Sequence, residues 1–233
     1  MDKDLNTSFD ENFEYACELS EKEFSHEELL YMLESENVAE RQIAALKFDR
    51  VTSEADALAL INSLTGCDGK IREAAALRIN QIIVSDMASR KYFNFPHVFA
   101  DATIDINANI CRLVVDSVKL LQKEENFSHL YVQKILDFTN NAFEELDKFI
   151  FRDKKYVINK QLFKLYWCLE TLQNFYEIVD ENVLRQILEK CILQKEYTIR
   201  EKAAQIIKLS GKYTEFYNVL KNDENYYVRA ILN

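Results

Sequence analysis

The residues able to do chemistry are present, but they are not arranged as a site. His26, His97 and His129 stand far apart, with no H-x-x-x-H spacing and no C-x-x-C beside them, so no metal site is expected. Three glycines cannot build a phosphate-cradling loop or a dinucleotide fingerprint, and no serine, threonine or cysteine stands in a nucleophile elbow. Carboxylates abound, yet most fall in helix first turns or on helix surfaces, where solvation and the helix dipole account for them. The sequence therefore predicts no catalytic residues and no cofactor, and a chain that is not an enzyme.

The aromatic residues are the next candidates. Phe149, Phe151, Tyr156, Phe163, Tyr166, Trp167, Phe175 and Tyr176 are the densest group. Phe163, Tyr166 and Trp167 recur at i, i+3 and i+4, a spacing that reads first as helix core. The alternative is an aromatic wall that stacks a base or holds a peptide anchor.

The elements that must carry these residues are helical. With only three Gly and one Pro in 233 residues, little interrupts a helix, and an all-β chain would need turn residues far more often. No segment approaches the apolar length of a membrane span, and the five widely spaced cysteines read as free thiols of a reducing, cytoplasmic setting. The net charge is −10, and residues 1–28 carry −8 of it, which leaves the remainder at −2. Residues 1–24 read as an acidic N-terminal capping helix or tail. Phe9, Phe13, Tyr15, Leu19 and Phe24 favour the helix, because an array of hairpins needs its first apolar face covered.

Internal repetition organises the rest. Arg41-Gln-Ile-Ala-Ala-Leu46 and Arg72-Glu-Ala-Ala-Ala-Leu77 share R-x-x-A-A-L, and Arg200-Glu-Lys-Ala203-Ala204 repeats its start. Four residues before each Arg comes a helix-cap position: Asn37, Asp68, Glu196 and, before Arg229, Asn225. Asn107 opens a degenerate copy in which Cys111 replaces the Arg. Asn37-x-x-Glu40 resembles a capping box, and Ser25-x-x-Glu28 and Ser53-x-x-Asp56 open the helices that precede two of these copies. Gly66 stands where a helix C-terminus is expected. Helix, turn, helix is the unit, and neither helix buries its apolar side alone.

These residues resemble the HEAT-repeat (armadillo-like) family of α-solenoids. Asp68-Gly-Lys-Ile71-Arg72 is closest to the family's Asp-x-x-[Val/Ile]-Arg. The resemblance implies an all-α solenoid of about five to six hairpins over 25–233, with irregular, aromatic-rich hairpins at about 123–190. It also implies a structural ladder of cap and arginine through Asp68, Arg41, Arg72, Arg200 and Arg229, and concave-face placement of the second helix of each hairpin. At 100° per residue, Ile71, Ala74, Ala75, Ile79 and Ile82 share one side of their helix and Glu73 and Asn80 the other. The equivalent positions make an eight-residue strip: Gln42, Asp49, Glu73, Asn80, Arg112, Lys119, Glu201 and Lys208. That strip is the candidate partner-binding site, and it also has the pattern of a solvated helix face.

The resulting expectation is a protein–protein interaction module, a scaffold or adaptor that holds a polypeptide partner on the concave face. Nucleic acid is disfavoured because no Lys/Arg-rich stripe is present to neutralise phosphates, and no membrane contact is expected. The competing class is an enzyme of HEAT architecture, similar to alkylated-base DNA glycosylases or chromophore lyases. Tyr226-Tyr-Val-Arg-Ala-Ile-Leu232 starts a second helix that ends after about two turns, which leaves end-to-end self-association through the C-terminal repeat as a further expectation.

Overall fold

The computed structural model describes residues 13–124, 126–148 and 155–233, and among them the chain is helical with no strand. Phe9, Phe149 and Phe151 lie outside the described residues. A helix over 13–21 (α1) is followed by α2 (His26–Leu33), α3 (Val38–Lys47), α4 (Glu54–Asn62), α5 (Gly69–Ser85), α6 (Pro96–Thr103) and α7 (Ala108–Leu121). Then come α8 (Phe127–Lys148), α9 (Lys155–Phe175), α10 (Glu181–Ile192), α11 (Tyr197–Ser210), α12 (Thr214–Leu220) and α13 (Tyr226–Leu232). The described residues divide into two compact units, one from 13 to 102 with 106–124, the other 103–105 with 126–148 and 155–233.

In the first unit the second helices α3, α5 and α7 pack side by side. Their close approach follows from the repeat's small residues: Ala44, Ala45 and Ala75 are fully buried, and Ala74 and Ala76 nearly so. The aliphatic column ahead of them, Ile71 and Ile110, is buried as well. On α1, Leu19 is buried and the Tyr15 hydroxyl donates to Glu40 Oε1 at 2.7 Å. Pro96 opens α6, where its fixed φ suits a first helical position and its missing N–H would have no intrahelical partner.

The second unit repeats the plan with α9, α11 and α13 side by side and α8, α10 and α12 as their partners. Ala203 and Ala204 are fully buried, as are Ile199 and Val228 of the aliphatic column. Among the described residues from 123 on, α8 and α9, at 22 and 21 residues, pack together as a long helix pair, and α10 follows. The centre of the pair is a buried chain of hydroxyls: Tyr131 OH lies 2.7 Å from Thr103 Oγ1 and 3.4 Å from Thr171 Oγ1. On α13, Val228 and Leu232 are buried within the unit, while Tyr226 and Tyr227 are exposed.

Local chemistry sets the helix starts. Asn37, Asp68, Asn107 and Asn225 each accept from backbone N–H groups at the start of their helix. Glu196 occupies the equivalent position without capping through its side chain. Ser25 with Glu28 and Ser53 with Asp56 form full capping boxes. Asn37 and Glu40 do not, because the Glu40 carboxylate turns instead to Ser35 Oγ and Tyr15 OH. Gly66 has φ +124° but follows α4 by four residues rather than closing it; the left-handed C-cap glycine is Gly211, at φ +63° on α11.

Candidate functional site

Three arginines of the column, Arg72, Arg200 and Arg229, share a geometry. Arg72 Nη1 donates to Gly66 O at 2.7 Å, Arg200 Nη1 to Gln194 O and Lys195 O at 2.7 and 2.9 Å, and Arg229 Nη1 to Asp223 O and Glu224 O at 2.5 and 2.8 Å. Each guanidinium thus folds back on the carbonyl six residues earlier and tightens the turn that feeds its own helix. The cap Asp68 is occupied with Lys70 N and Ile71 N. Arg200 adds a link to the next hairpin: its Nε and Nη2 meet Asp223 Oδ2 and Oδ1 at 2.7 and 3.0 Å, with both side chains over 90% buried. Hydrogen bonding to Asp223 raises the Arg200 pKa further against the cost of burial. Arg41 Nε is buried without a hydrogen-bond partner among the described residues.

The eight-residue strip divides when its contacts are traced. On α5, Glu73 accepts from Asn107 and Asn109 of α7 at 3.3 and 3.1 Å, and Asn80 Nδ2 donates to Leu113 O and Ser117 Oγ at 3.3 and 3.1 Å. These two residues stitch neighbouring second helices together. Asp49 is not on its helix at all: α3 ends at Lys47, and the extended turn after Phe48 sends the Asp49 carboxylate to His26 on α2. Lys119 pairs with Asp116 one turn before it at 3.1 Å. Arg112 is exposed and Gln42 half-buried. In the second unit Lys208 Nζ donates to Ile231 O of α13, and Glu201 is half-buried.

Between the strip's two columns stands a third that the sequence reading omitted. Counting 100° per residue from Glu73 puts Leu77 at 40°, Val84 at 20° and Asn80 at −20°, all on one stripe, and Leu46 holds the same place on α3. These residues are apolar and open: Leu46 and Leu77 are each 38% exposed and Val84 57%. The signal was in the motif itself, since both leucines close R-x-x-A-A-L five residues after the Arg. On α7 the column turns polar at Asp116.

A second candidate surface lies in the other unit. Gln173 bonds Gln205 and Glu170 meets Lys202, so α9 and α11 run parallel with an offset of 32 residues. α9 therefore begins about ten residues, or ~15 Å, before α11 does. Under this overhang are two adjoining cavities that share Leu162 and Glu196. One, of about 340 Å³, is lined by residues that include Leu146, Ile158 and Leu193, and the other, of about 270 Å³, by Phe163 and Tyr166 among others. Phe163, Tyr166 and Trp167 are half-buried on the flank of α9, whereas its core positions are Leu165, Cys168, Leu169 and Leu172. Lys202 Nζ sits 2.5 Å from Glu170 Oε2 and 4.7 Å from the Tyr166 ring, a compensated buried charge.

Among the described residues no cluster of three His, Cys, Asp or Glu has the geometry to hold a metal ion, and no helix is long and apolar enough to cross a membrane. No family model matches the chain, and no curated protein matches it in sequence. Among solved structures, the designed armadillo repeat protein YIII(Dq)4CqI is similar over 88% of this chain and 95% of its own, with a TM-score of 0.50 and 11% identity. The chain has an armadillo/HEAT-like helical repeat fold. A second engineered protein, solved as a structural genomics target, is similar over 90% of this chain and 96% of its own, also with a TM-score of 0.50 and 11% identity. In armadillo/HEAT-like terms Arg72, Arg200 and Arg229 clamp the turns before their helices, and α3, α5 and α7 are the second helices of three successive repeats.

Proposed function

We propose that this chain is a non-catalytic interaction module that holds a polypeptide partner against the face formed by α3, α5 and α7. The observation that carries the reading is the apolar column Leu46, Leu77 and Val84, left open on the solvent side of adjacent helices. Single exposed leucines are common on any protein, but Leu46 and Leu77 repeat one position on adjacent second helices, and Val84 extends the same side of α5. Gln42 and Arg112 border it with polar groups, as the rim of an interface requires. Glu73 and Asn80 contribute rigidity to this face rather than contacts, because α7 holds both. A cytoplasmic setting fits the five free cysteines, three of them buried.

The test is Leu46→Asp with Leu77→Asp in the full chain, followed by affinity capture of the native partner and titration of the recovered complex. Each leucine is over a third exposed, so the helices persist, and a melting curve of the double variant separates a loss of fold from a loss of binding. Affinity falls at least tenfold, about 1.4 kcal/mol. Unchanged affinity in the double variant removes this face from the account.

A further inference from the structure

We infer that His26 is a pH-set latch between the first and second hairpins: as an imidazolium it holds Asp49 and Asp56 together, and as a neutral imidazole it lets one of them go. His26 is the first residue of α2, with Nδ1 3.0 Å from Asp49 Oδ1 and Nε2 3.4 Å from Asp56 Oδ1. Its side chain is 20% exposed, that of Asp56 9% and that of Asp49 54%. A neutral imidazole carries one N–H and the imidazolium two, so only the charged form bonds Asp49 through Nδ1 and also presents a proton to Asp56 from Nε2, which is buried with no hydrogen-bond partner among the described residues and meets Asp56 as an ion pair.

The surrounding groups decide which partner is released. Asp56 Oδ2 already accepts from Thr52 N at 2.7 Å, Thr52 Oγ1 at 2.9 Å and Ser53 N at 3.1 Å, as part of the α4 cap. Asp56 therefore stays in place whatever His26 does, and the mobile partner is Asp49. From α5, Arg78 donates to Phe48 O and to Asp49 O, and Arg50 Nε lies 3.7 Å from Asp49 Oδ2. The Phe48 ring packs on the imidazole at 5.0 Å between centroids. On α2 itself are Glu27 and Glu28, the latter bonded by Ser25. Nearby Lys47 donates to Lys22 O and lies over the Phe24 ring. Two carboxylates touch the imidazole, while the cations of Arg78, Arg50 and Lys47 bond elsewhere. Burial works against its charging, but the bonds to Asp49 and Asp56 and their negative charge win, and its pKa is raised.

A raised folded-state pKa fixes the sign. The latch is fully closed below the ordinary imidazole value of about 6.5 and opens as pH climbs through the folded value. The device thus weakens the seating of α2 as pH rises above the ordinary imidazole value. It goes beyond the proposed interaction face, since none of its residues belongs to the apolar column.

The experiment is an NMR titration of the imidazole in the full chain, paired with hydrogen exchange of α2 between pH 6 and 8.5. His26 titrates above the ordinary value, and α2 protection, corrected for intrinsic exchange, falls up to tenfold for each unit of that difference. Asp49→Asn, at an exposed turn, keeps the fold and lowers the His26 midpoint, and His26→Gln flattens the protection profile. A midpoint at or below the ordinary value, or the same profile in wild type and His26→Gln, overturns the latch.

Discussion

Replacing Asp223 by Ala removes the most completely buried ion pair among the described residues and measures what the inter-repeat link contributes. The Arg200 guanidinium holds three commitments: Asp223 through two bonds at 2.7 and 3.0 Å, the carbonyls of Gln194 and Lys195, and an outlying contact with Glu224 at 3.4 Å. Asp223→Ala leaves the first vacant while the cation stays 7% exposed and held by its carbonyls. It also strips the acceptor from Asn225 N–H, bonded at 2.8 Å. Breaking a buried pair from one side costs about 3–5 kcal/mol. Retained carbonyl bonds soften that, so a loss of about 3 kcal/mol is expected. Glu224→Ala is the internal control: its side chain is 87% exposed, and its loss costs under about 1 kcal/mol. Urea unfolding followed by far-UV circular dichroism reads both. Equal small losses for the two variants would refute the assignment of Asp223 as the link between α11 and the α12–α13 turn.

Four further outcomes follow from the same contacts. Ala45→Leu inserts a branched side chain at a fully buried position of α3 and destabilises by about 1–3 kcal/mol, measurable as a lower urea midpoint. Tyr131→Phe removes the hydroxyl between Thr103 and Thr171 and costs about 1–3 kcal/mol; no change in midpoint would mean that the hydroxyl chain is not a stabilising element. Burial alone would raise the pKa of Asp56, but bonds from Thr52, Ser53 and His26 hold it down to about 2. Its contribution to stability is complete above the ordinary aspartate value of about 3.9 and lost as pH falls toward 2, so acid unfolding of Asp56→Asn is shallower over that window than that of wild type. Under native conditions a thiol reagent labels Cys17 and Cys67 first, while Cys111, Cys168 and Cys191 react only on unfolding; burial pushes the Cys168 thiol up to about 12 and that of Cys191 higher still.

Where the determinants are local, the sequence was a sufficient guide. Asn37, Asp68, Asn107 and Asn225 cap their helices as their positions suggest, because a cap needs only the two or three residues that follow it. Glu196 fits the same column and does not cap, since its longer side chain bonds Thr198 Oγ1 instead. The arginine column was visible, but the acceptors shared by Arg72, Arg200 and Arg229 are carbonyls, which every residue has and no pattern of side chains reveals. Asp49 failed for a different reason: helical counting runs past Lys47, where the helix stops. Leu46 and Leu77 were readable, because the arithmetic that selected Glu73 and Asn80 also selects the position between them.

The most direct measurement of the central claim places a photo-crosslinking residue at Leu77, on the proposed face, and in a second chain at Leu58, equally open on α4, a first helix. Irradiated with the partner, the chain altered at Leu77 forms a covalent adduct with a polypeptide and the one altered at Leu58 does not. Adducts of equal yield from both positions, or adducts from Leu58 alone, would contradict the claim that the α3–α5–α7 face is where this repeat protein holds its partner.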